Sequence, residues 1–245
     1  MKSNKRVMAY VEVVFDILYL LSVLVIYFIA GRSLNLFQKL DRQPLSMVSL
    51  MACVLFIGDF FHLYPRIVMN IRYNKPAPEK RLIRGTIISS FTMSVFYLIM
   101  WFTLPPLRTP VLAVSTSSTT VTIILNVIFA LLFALRIFFC VYPMSQWHDK
   151  EQSKNVKWGI RRNVPFFLMG IMVIIKNLLA TNDSVYQYKG LWIAVSLSFI
   201  FYIPVVLWAK KKPALASLML PKSLAYIAML IIMLIGASYY LITFE

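Results

Sequence analysis

An acid, an imidazole and a guanidinium share one face of an otherwise apolar segment. The stretch GDFFHLYPRI, residues 58–67, places Asp59, His62 and Arg66 at positions i, i+3 and i+7. This spacing aligns the three side chains along one stripe of a helix. A carboxylate, a group that changes protonation near neutral pH and a permanent cation together suit the binding of a small polar molecule or the transfer of protons. The stretch therefore predicts a polar site on one helix.

Three more ionisable residues lie inside other apolar segments. Glu12 and Asp16 stand at i and i+4, so they share a helix face, and Arg136 is the one arginine deep in its segment. Arginine cannot lose its proton, so inside a membrane it needs a carboxylate partner or a solvated cavity. We expect Arg136 to pair with Asp59 or Asp16.

These residues allow three functional interpretations. The first is a pocket formed by the first, second and fourth helices that binds or transports a small polar or anionic molecule, an ion or a proton. The second is a buried polar network that only fixes helix packing, in a structural or sensory membrane subunit. The third is an intramembrane hydrolase. The candidate binding residues are Glu12, Asp16, Asp59, His62, Arg66 and Arg136.

The hydrolase interpretation depends on a short resemblance. FIGDF at residues 56–60 resembles part of the GxGD motif of presenilin-type intramembrane aspartyl proteases, and FD at Phe15 and Asp16 is similar to the partner aspartate of that family. The resemblance implies Asp16 and Asp59 as a catalytic pair that shares a proton. Phe56 stands where the motif has its first glycine, and no Pro-Ala-Leu element follows.

Other chemistries have no support in the sequence. The chain has no HExxH, Gly-rich phosphate loop, G-x-S-x-G or Cys/His metal spacing, so we expect no cofactor and no metal site. The net charge of +16 is spread over short loops and no nucleic-acid-binding module is present. We therefore expect no nucleic-acid partner, and attraction of the basic loops to anionic lipid headgroups instead.

The elements that carry these residues are membrane helices. Apolar residues make up 60% of the 245 residues and charged residues 14%, and the mean hydropathy is +0.76. Apolar runs of about 20 residues are long enough to cross a bilayer as helices. We predict an all-α, single-domain bundle of seven transmembrane helices over residues 1–245, with spans at about 8–30, 45–67, 84–104, 119–141, 163–180, 188–208 and 222–242.

Basic residues indicate the orientation of this bundle. Most Lys and Arg residues flank the start of the first, third, fifth and seventh spans. Because basic loops stay in the cytoplasm, we predict a cytoplasmic N-terminus, an extracytoplasmic C-terminus and a multi-pass protein of the cell membrane. The N-terminal apolar run is long and contains Glu12 and Asp16, so we expect an uncleaved helix and no signal peptide.

Two short stretches carry a broader resemblance. HLYPRI, within residues 58–67, and LPKSLAYI, residues 220–227, resemble segments of uncharacterised bacterial seven-helix membrane proteins. The resemblance implies a bacterial cytoplasmic membrane and no particular activity.

Three residues outside the candidate site also allow predictions. Lys176 is expected near the outer end of the fifth span, where it would reach the interface or meet Asp183. Cys53 and Cys140 fall at depths that differ by about 15 Å, at 1.5 Å per helical residue, so we expect no disulfide between them.

Overall fold

The protein is an all-α, multi-pass membrane protein. The computed structural model describes residues 2–32, 44–71, 79–104, 117–142, 152–180, 188–208 and 212–244. Within these ranges seven helices are long and apolar enough to cross a membrane, and no residue is in a strand. The helices are α1 (Lys2–Arg32), α2 (Pro44–Ile71), α3 (Glu79–Thr103), α4 (Ser117–Val141), α5 (Gln152–Ala180), α6 (Leu191–Trp208) and α7 (Met219–Phe244), and a 3₁₀ helix (Pro213–Leu218) leads into α7. The predicted seven-helix class is confirmed.

Consecutive helices pack side by side and run antiparallel. Glu12 of α1 contacts Asn70 of α2, and Tyr19 of α1 contacts Asp59 of α2, so these two helices run in opposite directions. Helix α7 packs against α6 and also against α1 and α2. We call the end of the bundle at which α1, α3, α5 and α7 begin the basic end, because the flanking sequence there carries most of the Lys and Arg residues.

Helix α5 is longer than hydropathy predicts. It begins at Gln152, whereas the expected span begins at residue 163. The added N-terminal turns, QSKNVKWGIRR, are polar and basic, so they fall below a hydrophobicity threshold. Lysine, arginine and glutamine nevertheless have good helix propensity, and a helix continues past the hydrocarbon layer where its sequence allows. The helix therefore extends beyond the predicted span at the basic end of the bundle.

The bundle places its large apolar side chains on both its inner and its outer surface. Aromatic rings of α3, α5 and α6 meet in the core, where Tyr97 and Phe166 lie edge to face with centroids 5.0 Å apart and Phe199 lies 5.4 Å from Phe166. Outward-facing residues such as Leu131 and Ile200 are also apolar and at least 60% exposed. Such a surface is stable against lipid, where apolar side chains lose nothing by facing outward.

Two glycines lie at tight contacts between α2 and α3. A methyl group on Gly85 would collide with the backbone carbonyl of Phe61 and would lie 3.0 Å from the Cα of His62. A methyl group on Gly58 would collide with the side chain of Thr92. Small residues at helix interfaces let the backbones come together in membranes. These contacts fix the segment of α2 that carries Asp59 and His62.

Replacing Gly85 with alanine should therefore destabilise the bundle. The added methyl group meets backbone atoms that cannot rotate away, and overpacking of this kind costs about 1–3 kcal/mol. The measurement is the free energy of unfolding in detergent. Gly159→Ala is the matched control, because nothing lies within 4 Å of its methyl position and alanine is the better helix former. Equal stability of the two variants would contradict the close approach.

Lys176 lies inside the bundle, and the prediction that it reaches the interface was wrong. Its side chain is 7% exposed, and its Nζ donates a hydrogen bond of 2.6 Å to the carbonyl of Trp101 and lies 4.3 Å from the centroid of that ring. Trp101 is in the last turn of α3, where carbonyls lack a donor in their own helix. A cation at a helix C-terminus is favourable there. Asp183 lies outside the described residues.

Cys53 and Cys140 form no disulfide with each other, as predicted.

Candidate functional site

A polar cavity of about 80 Å³ lies within the bundle near its basic end. Helices α1, α2, α3 and α7 form its walls, and the 3₁₀ helix before α7 contributes at one side. Its polar lining consists of Glu12, Asp16, Asp59, His62, Arg66, Asn70, Ser89, Lys222, Ser223 and Tyr226. Buried polar surface of this extent is rare inside a membrane bundle and marks the cavity as the candidate site.

Five of the six residues selected from the sequence line this one cavity. Glu12 and Asp16 approach it from α1, and Asp59, His62 and Arg66 approach it from α2. Their i, i+4 and i, i+3, i+7 spacings place each set on one helix face, and the packing of α1 against α2 brings the two faces together. Arg136 is the exception.

Asp59 is held by two hydroxyl groups. Tyr19 of α1 donates a hydrogen bond to one carboxylate oxygen, and Ser89 of α3 donates to the other over 3.4 Å. The Asp59 side chain is 7% exposed. With one donor on each oxygen, this carboxylate ties three helices together and is the structural centre of the cavity wall.

Lys222 of α7 contributes a nearly buried cation to the lining of the same cavity. Its side chain is 9% exposed, it lines the cavity, and Asp59 is the acidic group whose charge acts on it. Its Nζ lies 4.3 Å from the ring centroid of Tyr202 and 5.3 Å from that of Tyr226. Aromatic faces stabilise a desolvated ammonium group, so Lys222 lies inside the bundle although it is the first residue of the predicted seventh span.

The sequence held a signal for Lys222 that we did not use. Lys222 and Tyr226 stand at i and i+4, and Ser223 is beside Lys222. Polar groups at helical spacing at the start of an apolar helix indicate a polar stripe. Treating Lys222 only as a marker of topology concealed this stripe.

Asp16 is nearly buried but has no direct partner. Its side chain is 9% exposed, and no hydrogen bond or ion pair to it occurs among the described residues. The charges that act on it are those of Arg66, Glu12 and Asp59. Since Asp16 lines the cavity, its carboxylate oxygens are available to whatever fills that space.

Two other groups complete this side of the cavity. The Nδ1 atom of His62 is buried and has no hydrogen-bond partner in the described part of the chain. Glu12 accepts a hydrogen bond of 3.2 Å from the side-chain amide of Asn70. In this cavity both oxygens of Asp59 accept hydrogen bonds. The Asp16 carboxylate and the Nδ1 atom of His62 have no hydrogen-bond partner among the described residues.

Arg136 lies outside the cavity, and its predicted pairing with Asp59 or Asp16 was wrong. It is 2% exposed, and its Nη1 donates a hydrogen bond to the carbonyl of Arg162 in α5. Its guanidinium carbon lies 5.2 Å from the ring centroid of Phe166. No ion pair between Arg136 and either aspartate is present in the described ranges.

Arg136 finds its acceptor close to the proline of α5. Pro165 has no N–H to offer the carbonyl four residues earlier, and its ring disturbs that turn of the helix. Backbone carbonyls of a disturbed turn are open to side-chain donors. Arg136 uses the carbonyl of Arg162, within the same turn, and Phe166 covers the guanidinium plane.

Asp16 and Asp59, the pair that the protease resemblance implies, line the same cavity. No hydrogen bond joins the two carboxyl groups, both of which lie in described helices, and the oxygens of Asp59 are engaged by Tyr19 and Ser89. Aspartyl hydrolysis requires two carboxyl groups that share a proton. Within the described residues no group of His, Cys, Asp and Glu side chains is arranged to hold a metal ion.

Comparison of the chain with protein-family models, with curated proteins and with solved structures finds no match.

Proposed function

We propose that the protein binds a small polar molecule, an ion or a proton in this cavity, as a membrane transporter or receptor. The observation that carries the proposal is the state of Asp16, a carboxylate that is 9% exposed, faces a cavity and has no hydrogen-bond or ion-pair partner in the described part of the chain. A buried charge without a partner is unstable in a membrane. A bound solute or water supplies the hydrogen-bond or ion-pair partner that the protein does not provide for Asp16.

The unequal state of the two aspartates favours binding over a packing network. In a network that only holds helices together, polar groups satisfy one another. Asp59 meets that description, since Tyr19 and Ser89 donate to it. Asp16 and the Nδ1 atom of His62 do not. We therefore infer that Asp59 stabilises the packing of the helices and that Asp16 is the carboxylate that contacts a ligand.

The size and charge of the cavity limit the ligand. An engineered protein cavity of about 150 Å³ holds benzene, so the roughly 80 Å³ here suits a few water molecules or a solute of a few non-hydrogen atoms. Carboxylates from α1 and α2 and cations at Arg66 and Lys222 line the same space. Such mixed lining selects polar solutes and excludes apolar ones.

The basic end sets the side from which the ligand enters. The cavity lies at that end, and basic loops remain in the cytoplasm. We infer a cell-membrane protein, of bacterial type by the resemblance of HLYPRI and LPKSLAYI, whose cavity communicates with the cytoplasm.

A cysteine placed at Ser223 tests whether water and solutes reach the cavity. Ser223 lines the cavity, whereas Ser94 is fully buried in the core. In a protein whose Cys53 and Cys140 are replaced by alanine, Ser223→Cys should react with a membrane-impermeant thiol reagent applied from the basic side. The matched variant Ser94→Cys should stay unmodified, because the reagent attacks only a solvated thiolate.

A solute that binds in the cavity should also slow the modification of the Ser223→Cys thiol. Protection by the solute at constant ionic strength distinguishes occupancy from a change in screening. If both thiols resist the reagent, the cavity is dry and the polar network serves packing alone.

A further inference from the structure

A second feature, separate from the polar cavity, is an apolar groove between α4 and α5. Its volume is about 250 Å³. Leu135 and Phe139 of α4 form one wall, and Ile160, Val164 and Leu168 of α5 form the other. The groove opens on the outer surface of the bundle, where its lining side chains Leu135, Val164 and Leu168 are 40–49% exposed. It therefore faces the bilayer.

A cation stands at the basic end of this groove. Arg161 lines it and is exposed, and its guanidinium carbon lies 4.9 Å from the ring centroid of Trp158. Lys157, one turn earlier on α5, is exposed as well. Residues 157, 161, 164 and 168 follow i, i+4, i+7 and i+11 spacing, so they lie along one stripe of α5.

No acidic side chain balances this stripe from its own walls. The sequences of α4 and α5 contain neither aspartate nor glutamate. Arg161 has no ion pair among the described residues, and its guanidinium group stacks on the ring of Trp158. Arg161 lies four residues, or about 6 Å at 1.5 Å per residue, inside the candidate span that begins at Lys157. From that depth a long arginine side chain extends to the lipid headgroups.

We propose that this groove is a binding site for one anionic phospholipid of the leaflet at the basic end. The phosphate lies at Arg161, with Lys157 above it, and an acyl chain follows Val164 and Leu168 into the groove. Arginine presents a planar fork of donors that matches a phosphate. Basic pockets between transmembrane helices bind anionic headgroups by the same chemistry.

The groove favours a lipid over a second copy of the chain. Its opening carries positive charge at one end and apolar surface along the rest, which is the charge distribution that an anionic lipid complements. The basic end of every copy is equally positive, so a parallel neighbour would bring cation against cation. A lipid supplies the missing anion and the apolar chain in one molecule.

Native mass spectrometry of the full-length protein, released from vesicles of phosphatidylcholine with phosphatidylglycerol, tests the proposal. The wild type should retain one phosphatidylglycerol in preference to phosphatidylcholine. Arg161→Gln should weaken that retention about fivefold, the effect of one basic residue near an anionic surface. Val164→Phe fills the groove without a change of charge and should also reduce retention.

Arg81→Gln is the matched control, because Arg81 is an exposed basic residue at the same end that lies outside the groove. It should retain the lipid as the wild type does. Equal losses of phosphatidylglycerol retention in Arg81→Gln and Arg161→Gln would show that the lipid is attracted to the whole basic surface and not bound in the groove. Equal retention of the two lipids, or a dimer that displaces the lipid, would overturn the proposal.

Discussion

Replacing Asp59 with leucine is expected to destabilise the protein by about 2–6 kcal/mol, since each of two hydroxyl donors left without its acceptor costs about 1–3 kcal/mol. The variant leaves the hydroxyl groups of Tyr19 and Ser89 without their acceptor. It also leaves Lys222 in the bundle without the acidic group whose charge acts on it. The measurement is the free energy of unfolding in detergent, compared with that of the wild type.

A double variant identifies the cation that Asp59 serves. Asp59→Leu combined with Lys222→Met should be more stable than the sum of the single effects predicts, because removing both charges leaves neither uncompensated. Asp59→Leu combined with Arg136→Met is the control. Its effects should add, since Arg136 donates to the carbonyl of Arg162 and not to Asp59. Non-additivity in the control and additivity with Lys222 would reverse the assignment.

The second large effect concerns binding and leaves the fold intact. A solute that occupies the cavity at 100 times its dissociation constant should stabilise the wild type by about 2.7 kcal/mol. Asp16→Asn should abolish this stabilisation, because the amide keeps the shape of the side chain but removes its charge. The unliganded variant should be at least as stable as the wild type, since Asp16 has no hydrogen bond to lose among the described residues and the amide no longer buries an unpaired charge.

Acetate, ammonium and glycine at constant ionic strength form a suitable first panel for the melting temperature in detergent. These probes carry a negative charge, a positive charge and both, so they also report which half of the lining dominates. Lys189→Gln, an exposed change at the far end of the bundle, should bind as the wild type does. A solute that stabilises wild type and Asp16→Asn equally would place its site elsewhere.

The helices and five residues of the cavity were predictable because they depend on local periodicity. Apolar length determines which segments cross a bilayer, and spacing along one helix determines which side chains share a face. Glu12, Asp16, Asp59, His62 and Arg66 were found in this way. Once α1 and α2 packed as neighbours, their two polar faces had to meet.

The partners of the buried cations were not predictable by the same means. We paired Arg136 with an aspartate because carboxylates are the obvious counter-ions in a sequence. The structure gives Arg136 and Lys176 backbone carbonyls instead, those of Arg162 and Trp101. Every residue has a carbonyl, so composition does not reveal which one accepts from a side chain. The carbonyl of Trp101 is open because it lies in the last turn of α3.

The choice of α7 over α4 as a wall of the cavity has a similar cause. Helix spacing gives each helix a polar face but does not say which helices become neighbours across the bundle. Both α4 and α7 carry a cation at a suitable depth, Arg136 and Lys222. The packing of α7 against α1 and α2 decided between them.

The close approach at Gly85 bears on how the cavity opens. Backbone contact between Gly85 and the residues Phe61 and His62 locks α2 to α3 beside the cavity, so these two helices must move as one body. A movement that admits a ligand to the proposed site would therefore involve α1 and α7, the other two long helices of the cavity wall. Helix α7 begins where a 3₁₀ segment, Pro213–Leu218, borders the cavity, so under the proposed binding function this junction is where we expect α7 to move.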